Sequence, residues 1–124
     1  MKLNETLVVG SSGGIGKAIS DELIKRNHKL ITISRNINHG IATNYPIHHF
    51  TTESTDFELI KNSFNEMKAL GFSPKSIICT IGDGGIRLED RNIQWQNNLK
   101  VNFFAFVNVV DAALNSFSKT LKNI

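Results

Sequence analysis

Residues 7 to 19, LVVGSSGGIGKAI, constrain the fold of this chain more than any other stretch. An apolar run with two β-branched residues occupies 7–9, and four glycines follow within the next seven positions. An apolar run that glycines bring to an end predicts a buried strand. From Ile15 onward the apolar residues recur at helical spacing, which predicts a helix over 14–27. The stretch therefore predicts a strand, a glycine loop and a helix in direct succession.

The rest of the chain continues this alternation. Apolar runs predict further strands over 29–34, 45–50 and 76–81, and Pro46 makes the middle one an edge strand or marks its start. A capping box formed by Thr55 and Glu58 predicts the start of a second helix, and Gly71 predicts its end. A long apolar stripe at helical spacing predicts a third helix over 94–119.

This order of elements predicts an α/β fold. Strands that lack polar alternation and are separated by helices form a parallel sheet with helices on both faces. Right-handed crossovers favour the strand order 3-2-1-4, as in a Rossmann-like doubly wound sheet. We expect a single domain over 1–124. We also expect it to be incomplete, because such a fold has two halves and the chain contains little more than the first.

Composition and charge narrow the class of protein. Fourteen basic and eleven acidic residues give a formal charge of +3, and they are scattered, so no nucleic-acid-binding arm is expected. No stretch approaches the roughly 18 apolar residues of a membrane span. Cys79 is the single cysteine, which excludes an internal disulfide and favours a cytoplasmic location. His48 and His49 would face opposite sides of a strand, so no metal site is expected.

The glycine loop has the properties of an anion site. A helix N-terminus offers unpaired N–H groups and the positive end of a dipole, and glycines let the backbone approach a pyrophosphate closely. Serine hydroxyls add donors, and the N–H of the first helical turn adds another. The candidate cofactor-binding residues in the loop are Gly10, Ser11, Ser12, Gly13, Gly14, Ile15 and Gly16. Because the loop heads a βαβ unit, it predicts a dinucleotide site; the alternative is a tight turn that binds nothing.

The spacing of the loop glycines fits two known patterns and excludes a third. Gly10, Gly14 and Gly16 fit the spacing G-x-x-x-G-x-G. Gly10, Gly13 and Gly16 fit the spacing G-x-x-G-x-x-G equally well. A phosphate-binding P-loop is excluded, because no Gly-Lys-Ser/Thr follows at the required distance.

The end of the second predicted strand carries Ser34 and Arg35. An acidic residue at this position would hold a ribose 2′-hydroxyl, whereas a guanidinium suits a 2′-phosphate in shape and charge. Arg35 therefore favours NADP over NAD; the alternative is an ordinary solvated arginine.

With these features the chain resembles the short-chain dehydrogenases/reductases. VVGSSGGIGKAI is similar to the family's T-G-x-x-x-G-I-G loop, with Val9 in place of the threonine. SRN at 34–36 resembles the start of its NADP-type second loop, and CTIG at 79–82 lies where the family has N-N-A-G, with Gly82 kept. WQNNLKVNFFAF at 95–106 resembles the family's W-(six residues)-N segment and places Asn102 at its active-site asparagine.

The resemblance implies hydride transfer between NADP(H) and a carbonyl or alcohol. It implies cofactor contacts for the glycine loop, Ser34, Arg35 and Gly82. It also implies a catalytic role for Asn102, which would bend its helix and hold a water in a proton relay. The alternative for Asn102 is a solvated helix face, because further asparagines, among them Asn97, Asn98 and Asn108, lie in the same predicted helix.

The chain departs from the family pattern in several places, and the short loop over 35–44 leaves little room for the family's second helix. CTIG lacks the asparagine that steadies the family's central strands. The family's aspartate near the adenine is not evident, since Thr51 or Thr52 stands there.

The family's catalytic serine and Tyr-x-x-x-Lys are not found. The single tyrosine is Tyr45, and His49 stands four positions after it. We therefore expect an oxidoreductase by ancestry that is catalytically incomplete. The alternative is a non-catalytic dinucleotide-binding module, or a remnant, that acts as the partner of a complete homologue. The resemblance also implies that the helix predicted over 94–119 packs into a dimer interface. We therefore expect a homo-oligomer or aggregation.

Overall fold

The computed structural model describes residues 4–11, 14–35, 47–82 and 91–124. The strands in this part of the chain are β1 (Glu5–Val9), β2 (Lys29–Ser34), β3 (Ile47–Thr51) and β4 (Ser76–Cys79). The α-helices are α1 (Gly14–Lys25), α2 (Phe57–Ala69), α3 (Arg91–Leu99) and α4 (Ala105–Phe117), and a π-helical turn over Lys100–Phe104 joins the last two. Tyr45 and Pro46 lie outside the described residues.

The four strands form one parallel sheet in the order β3-β2-β1-β4, which confirms the predicted order and fold class. β1 and β2 occupy its centre, and β1 pairs with both β2 and β4. Their apolar side chains are fully buried, which explains why neither strand shows polar alternation. The carboxyl ends of β1, β2 and β4 therefore lie side by side at one edge of the molecule.

Helices cover both faces of this sheet. On one face Leu7, Val9, Ile31 and Ile33 join the main core cluster, whose other members come largely from α2 and α4. The alternate residues of the central strands point to the opposite face, where α1 contacts β1 and β2. α1 buries only small residues of its own, Gly16 and Ser20, whereas Ile15 is exposed. The predicted apolar face of this helix is thus only half-buried, because close packing by Gly16 replaces burial of larger side chains.

The predicted capping box of α2 is wrong. The N-cap is Asp56, whose carboxylate accepts a hydrogen bond from the backbone N–H of Leu59 at 3.2 Å. Thr55 instead donates its hydroxyl to Glu53 at 3.0 Å and lies outside the helix. The predicted end is confirmed: Gly71 has φ +87°, and the N–H groups of Gly71 and Phe72 close the helix.

The single helix predicted over 94–119 is divided into three successive helical segments in the structure. α3 and α4 are joined by the π-helical turn, in which the N–H of Ala105 donates to the carbonyl of Lys100, five residues back. One side of α4 joins the core, including Val109 and Phe117. After α4 the chain returns to the outer edge of β4, where the N–H of Ile77 donates to Asn123 O at 2.9 Å. In the described part of the chain, no helix combines the length and apolar character needed to cross a bilayer.

Candidate dinucleotide site

A cavity of about 170 Å³ lies at the carboxyl ends of β1, β2 and β4. In open α/β sheets this edge is where ligands bind. The cavity is lined by Gly10, Ser34, Arg35, Glu53, Thr55, Thr80, Ile81, Gly82 and Val101. Four of these residues, Gly10, Ser34, Arg35 and Gly82, are predicted cofactor-binding residues, and the fold brings them together from three separate segments.

Gly10 forms the sharp turn at the end of β1. Its φ is +88°, a conformation that residues with a side chain rarely adopt. A Cβ atom at this position would lie 2.8 Å from Thr80 Oγ1. The N–H of Gly10 donates to Ile33 O at 2.8 Å, so the turn is also tied to β2. Glycine is therefore required here by the fold itself, whether or not a ligand binds.

The other two described loop glycines have different surroundings. A Cβ atom on Gly16 would collide with the carbonyl oxygen of Gly10, so this glycine lets the first turn of α1 pack directly on the end of β1. A Cβ atom on Gly14 would meet nothing within 4 Å. The fold therefore does not require glycine at position 14, whereas a ligand that approaches the backbone closely would require it.

The remaining loop residues are only partly described. Ser11 is fully buried, and its hydroxyl donates to Ile33 O at 3.4 Å, so it ties the loop to the sheet. Ile15 is 73% exposed beside the loop. Ser12 and Gly13 lie outside the described residues. The cofactor contacts of these four residues stay predictions.

Ser34 and Arg35 lie at the end of β2. Ser34 is buried, its carbonyl accepts from the N–H of Thr52 at 2.9 Å, and its hydroxyl lies 3.4 Å from Nε2 of His49. The same imidazole is hydrogen-bonded to Thr32 through Nδ1 at 2.6 Å. Arg35 is exposed, and its Nε lies 4.0 Å from Oε2 of Glu53. The sequence analysis missed Glu53, because it follows β3 and only the sheet order brings it to Arg35.

Thr80 joins the ends of two neighbouring strands through its side chain and its backbone. Its hydroxyl lies 3.0 Å from Val9 O and 3.1 Å from Gly10 O, and its N–H donates to Val9 O at 2.8 Å. It thus joins the ends of β1 and β4 within CTIG, the segment that lacks the family's asparagine. A polar residue directly after an apolar strand was the available sequence signal.

Asn102 lies in the π-helical turn, close to the end of β4. A Cβ atom on Gly82 would lie 3.3 Å from Oδ1 of Asn102, so the two residues are neighbours. Val101 of the same turn lines the cavity. π-helical turns inside α-helices are frequent at functional sites. The structure thus places Asn102 in a π-helical turn beside Gly82, and both its bending of the helix and its proton-relay role stay predictions.

Two other candidate chemistries find no support among the described residues. Cys79 is half-buried, and burial raises the pKa of its thiol, with a partly offsetting backbone hydrogen bond at Ile81. Such a thiol is a poor nucleophile at neutral pH. Within the described ranges, no three His, Cys, Asp or Glu side chains come together as a metal ion would need.

The family model described as short chain dehydrogenase matches residues 4–122. The chain belongs to the short-chain dehydrogenase family. No curated protein matches it significantly in sequence. The resemblance seen in the glycine loop and in the segment around Asn102 is thereby confirmed at the level of the family.

Solved structures of short-chain dehydrogenases share its fold. The ligand-free aldohexose dehydrogenase of Thermoplasma acidophilum is 21% identical, with a TM-score of 0.79, and the match covers 93% of this chain and 44% of that one. ElxO with NADP bound is 18% identical, with a TM-score of 0.80, and 92% and 50% are covered. A short-chain dehydrogenase of Leptospira borgpetersenii with bound NAD+ is 14% identical, with a TM-score of 0.81, and 93% and 46% are covered. This short-chain dehydrogenase chain therefore spans about half the length of these relatives.

Proposed function

We propose that this chain binds a nicotinamide dinucleotide at the carboxyl edge of its sheet and prefers NADP. The observation that carries the proposal is the contrast within the glycine loop. The fold requires Gly10 and Gly16 for its own packing, but the space beside Gly14 is open at the start of α1, where a pyrophosphate would bind. Relatives of the same fold have been solved with NADP and with NAD+ bound.

The residues present fit the adenosine side of such a cofactor. The cavity is smaller than the roughly 300–1,000 Å³ of typical small-molecule sites, so it would hold only part of a dinucleotide. The loop glycines would accept the pyrophosphate, Ser34 and Arg35 the 2′-phosphorylated ribose, and Gly82 would let the chain pass close to the cofactor. The cofactor supplies the hydride when bound, and these residues bind and orient it.

We propose as the wider function the reaction of the family, hydride transfer between NADP(H) and a carbonyl or alcohol, in which this chain supplies the dinucleotide-binding part. Asn102 would orient a water near the reacting end.

We further propose that the chain self-associates. α3, the π-helical turn and α4 expose a set of large apolar side chains, and extended exposed apolar surface marks an interaction site. These are Trp95, Leu99, Phe103, Phe104, Phe106, Val107 and Leu114. A cytoplasmic location remains a proposal that rests on the single cysteine.

Calorimetric titration with NADP and with NAD tests the cofactor proposal. Arg35→Ala removes a charge-assisted contact worth on the order of 1.5–3 kcal/mol, so NADP affinity is expected to fall roughly ten- to a hundredfold while NAD affinity is kept. Arg26→Ala is the matched control, because Arg26 is an exposed arginine beyond α1 that pairs with Glu22. Equal losses for NADP and NAD in Arg35→Ala would refute the 2′-phosphate role.

A further inference from the structure

Glu53 is a fixed carboxylate in the wall of the cavity. Its Oε1 accepts two hydrogen bonds from Thr55, one from the backbone N–H at 3.3 Å and one from the hydroxyl at 3.0 Å. These bonds hold the side chain across the short connection between β3 and α2. Its second oxygen, Oε2, lies 4.0 Å from Nε of Arg35. The carboxylate is therefore held next to the one guanidinium that lines the described cavity.

This placement changes the electrostatics of the proposed 2′-phosphate site. Among the described residues that line the cavity, Arg35 and Glu53 are the charged ones, and their formal charges cancel. The side chains of Arg35 and Glu53 are 73% and 40% exposed, so the ion pair itself contributes little to stability. A phosphate dianion attracted by Arg35 would nevertheless lie a few ångströms from a carboxylate that Thr55 holds in place.

We propose that Glu53 is a specificity-determining residue that limits the preference for a 2′-phosphorylated nucleotide. It does so by repelling the 2′-phosphate and by partly neutralising the positive charge of Arg35. A nucleotide with a free 2′-hydroxyl carries no charge at this point and escapes the repulsion. The inference rests on the proposed function, because it takes the Arg35 end of the cavity as the 2′ position of the ribose.

The substitution that isolates this charge is Glu53→Gln. A glutamine keeps an oxygen that can accept both hydrogen bonds from Thr55, so the local backbone is expected to stay as it is. The full 124-residue chain is titrated with adenosine 2′,5′-bisphosphate and with AMP, which differ in the 2′-phosphate. Glu66→Gln is the matched control, since Glu66 is an exposed glutamate of α2 that does not line the cavity.

Glu53→Gln is expected to raise the affinity for adenosine 2′,5′-bisphosphate about two- to fivefold at low ionic strength, the scale of repulsion between charges separated by several ångströms of water. AMP affinity should stay unchanged, and Glu66→Gln should change neither. The gain should shrink in 0.5 M salt, where the screening length falls to roughly 4 Å.

The outcomes separate this inference from the proposed function. If Arg35→Ala weakens binding of the 2′,5′-bisphosphate but Glu53→Gln leaves it unchanged, the NADP site stands and the role of Glu53 is refuted. An equal gain for AMP would also refute it, because the carboxylate would then act on the nucleotide as a whole. If Arg35→Ala leaves the discrimination between the two probes unchanged, the 2′-phosphate assignment and this inference fail together.

Discussion

Replacing Gly16 with alanine would separate α1 from the end of β1. The new Cβ atom would collide with the carbonyl oxygen of Gly10 and would lie 2.8 Å from the carbonyl carbon of Gly10 and from Thr80 Oγ1. Two of these three atoms belong to the backbone, so no side-chain rotation can relieve the contact. α1 must retreat by roughly 1 Å to restore ordinary contact distances, and the turn at Gly10 must deform with it.

The expected cost follows from overpacking a closed contact. Overpacking in well-packed regions costs about 1–3 kcal/mol, and the involvement of backbone atoms places Gly16→Ala toward the upper end of that range. For a domain of this size we expect the melting temperature to fall by roughly 6–15 °C.

Gly14 provides the matched comparison within the same loop. Because a Cβ atom there meets nothing within 4 Å, Gly14→Ala should leave stability unchanged or raise it by up to about 1 kcal/mol, the difference in helix propensity. Gly14→Val should likewise leave the fold intact, yet it would place a branched side chain where the pyrophosphate is proposed to bind. Dinucleotide affinity should therefore fall sharply in a variant that still melts like the wild type.

The assay is a thermal melt followed by circular dichroism, with a calorimetric titration of each folded variant. A Gly16→Ala melting temperature within about 2 °C of the wild type would refute the packing argument. Unchanged dinucleotide affinity in Gly14→Val would refute the proposed position of the pyrophosphate, without bearing on the fold.

Three further predictions follow from the described residues. Cys79 should react slowly with iodoacetamide at pH 7, and its rate should rise only above the pH at which an unfolded-chain control reacts, because burial raises the pKa of its thiol; an equal rate in both samples would contradict this. Sedimentation at tens of micromolar should show association through the exposed apolar side chains of α3 and α4, and Phe103→Ser should weaken it. A polypeptide of these 124 residues should not oxidise NADPH with aldehydes, ketones or quinones; turnover that Tyr45→Phe abolishes would contradict this and would indicate a proton relay through Tyr45.

The fold was predictable because its signals are local. Leu7–Val9 and Lys29–Ser34 are central strands buried on both faces, so they appear in the sequence as apolar runs without alternation. The order 3-2-1-4 follows from such strands once the crossovers are right-handed. Gly71 marked the end of α2 because a positive φ at that position favours glycine.

The sequence-based predictions were wrong where two sequence signals overlap or where a structural feature leaves no sequence signal. Thr55 and Asp56 are both residue types that serve as N-caps. Asp56 caps α2 in the structure, whereas the hydroxyl of Thr55 donates to Glu53. The π-helical turn leaves no clear mark on the apolar stripe, since it inserts only one extra residue into the helical repeat. The sequence also overestimated the apolar contact of α1, because packing through Gly16 has no hydrophobic signal.

The residues of the candidate site were likewise only partly predictable from the sequence. The glycine loop and Arg35 were found because they lie at fixed positions within one βαβ unit. Glu53 and Thr80 were not assigned to the cavity, because they follow β3 and β4 and reach it only through the order of the strands. Contacts across a parallel sheet depend on register, which the sequence of a single strand does not specify.

Thr80 links the fold to the site, because one hydroxyl contacts both Val9 O and Gly10 O. It therefore holds β4 to β1 at the turn on which α1 packs. Thr80→Val keeps the shape but removes the hydroxyl, leaves two carbonyl oxygens with one partner fewer, and should cost about 1–2 kcal/mol.

Thr80→Ser keeps the hydroxyl and is expected to stay within about 0.5 kcal/mol of the wild type. Urea denaturation of both variants measures these differences in stability. Dinucleotide titration then shows whether a change at the turn of Gly10 also lowers the affinity of the cavity. If the hydroxyl sets the position of Gly10, Thr80→Val should lose dinucleotide affinity under conditions where it is still fully folded, and Thr80→Ser should keep it. Equal stability of the two variants would mean that the backbone bond from Thr80 N–H to Val9 O holds the strands together without help from the side chain.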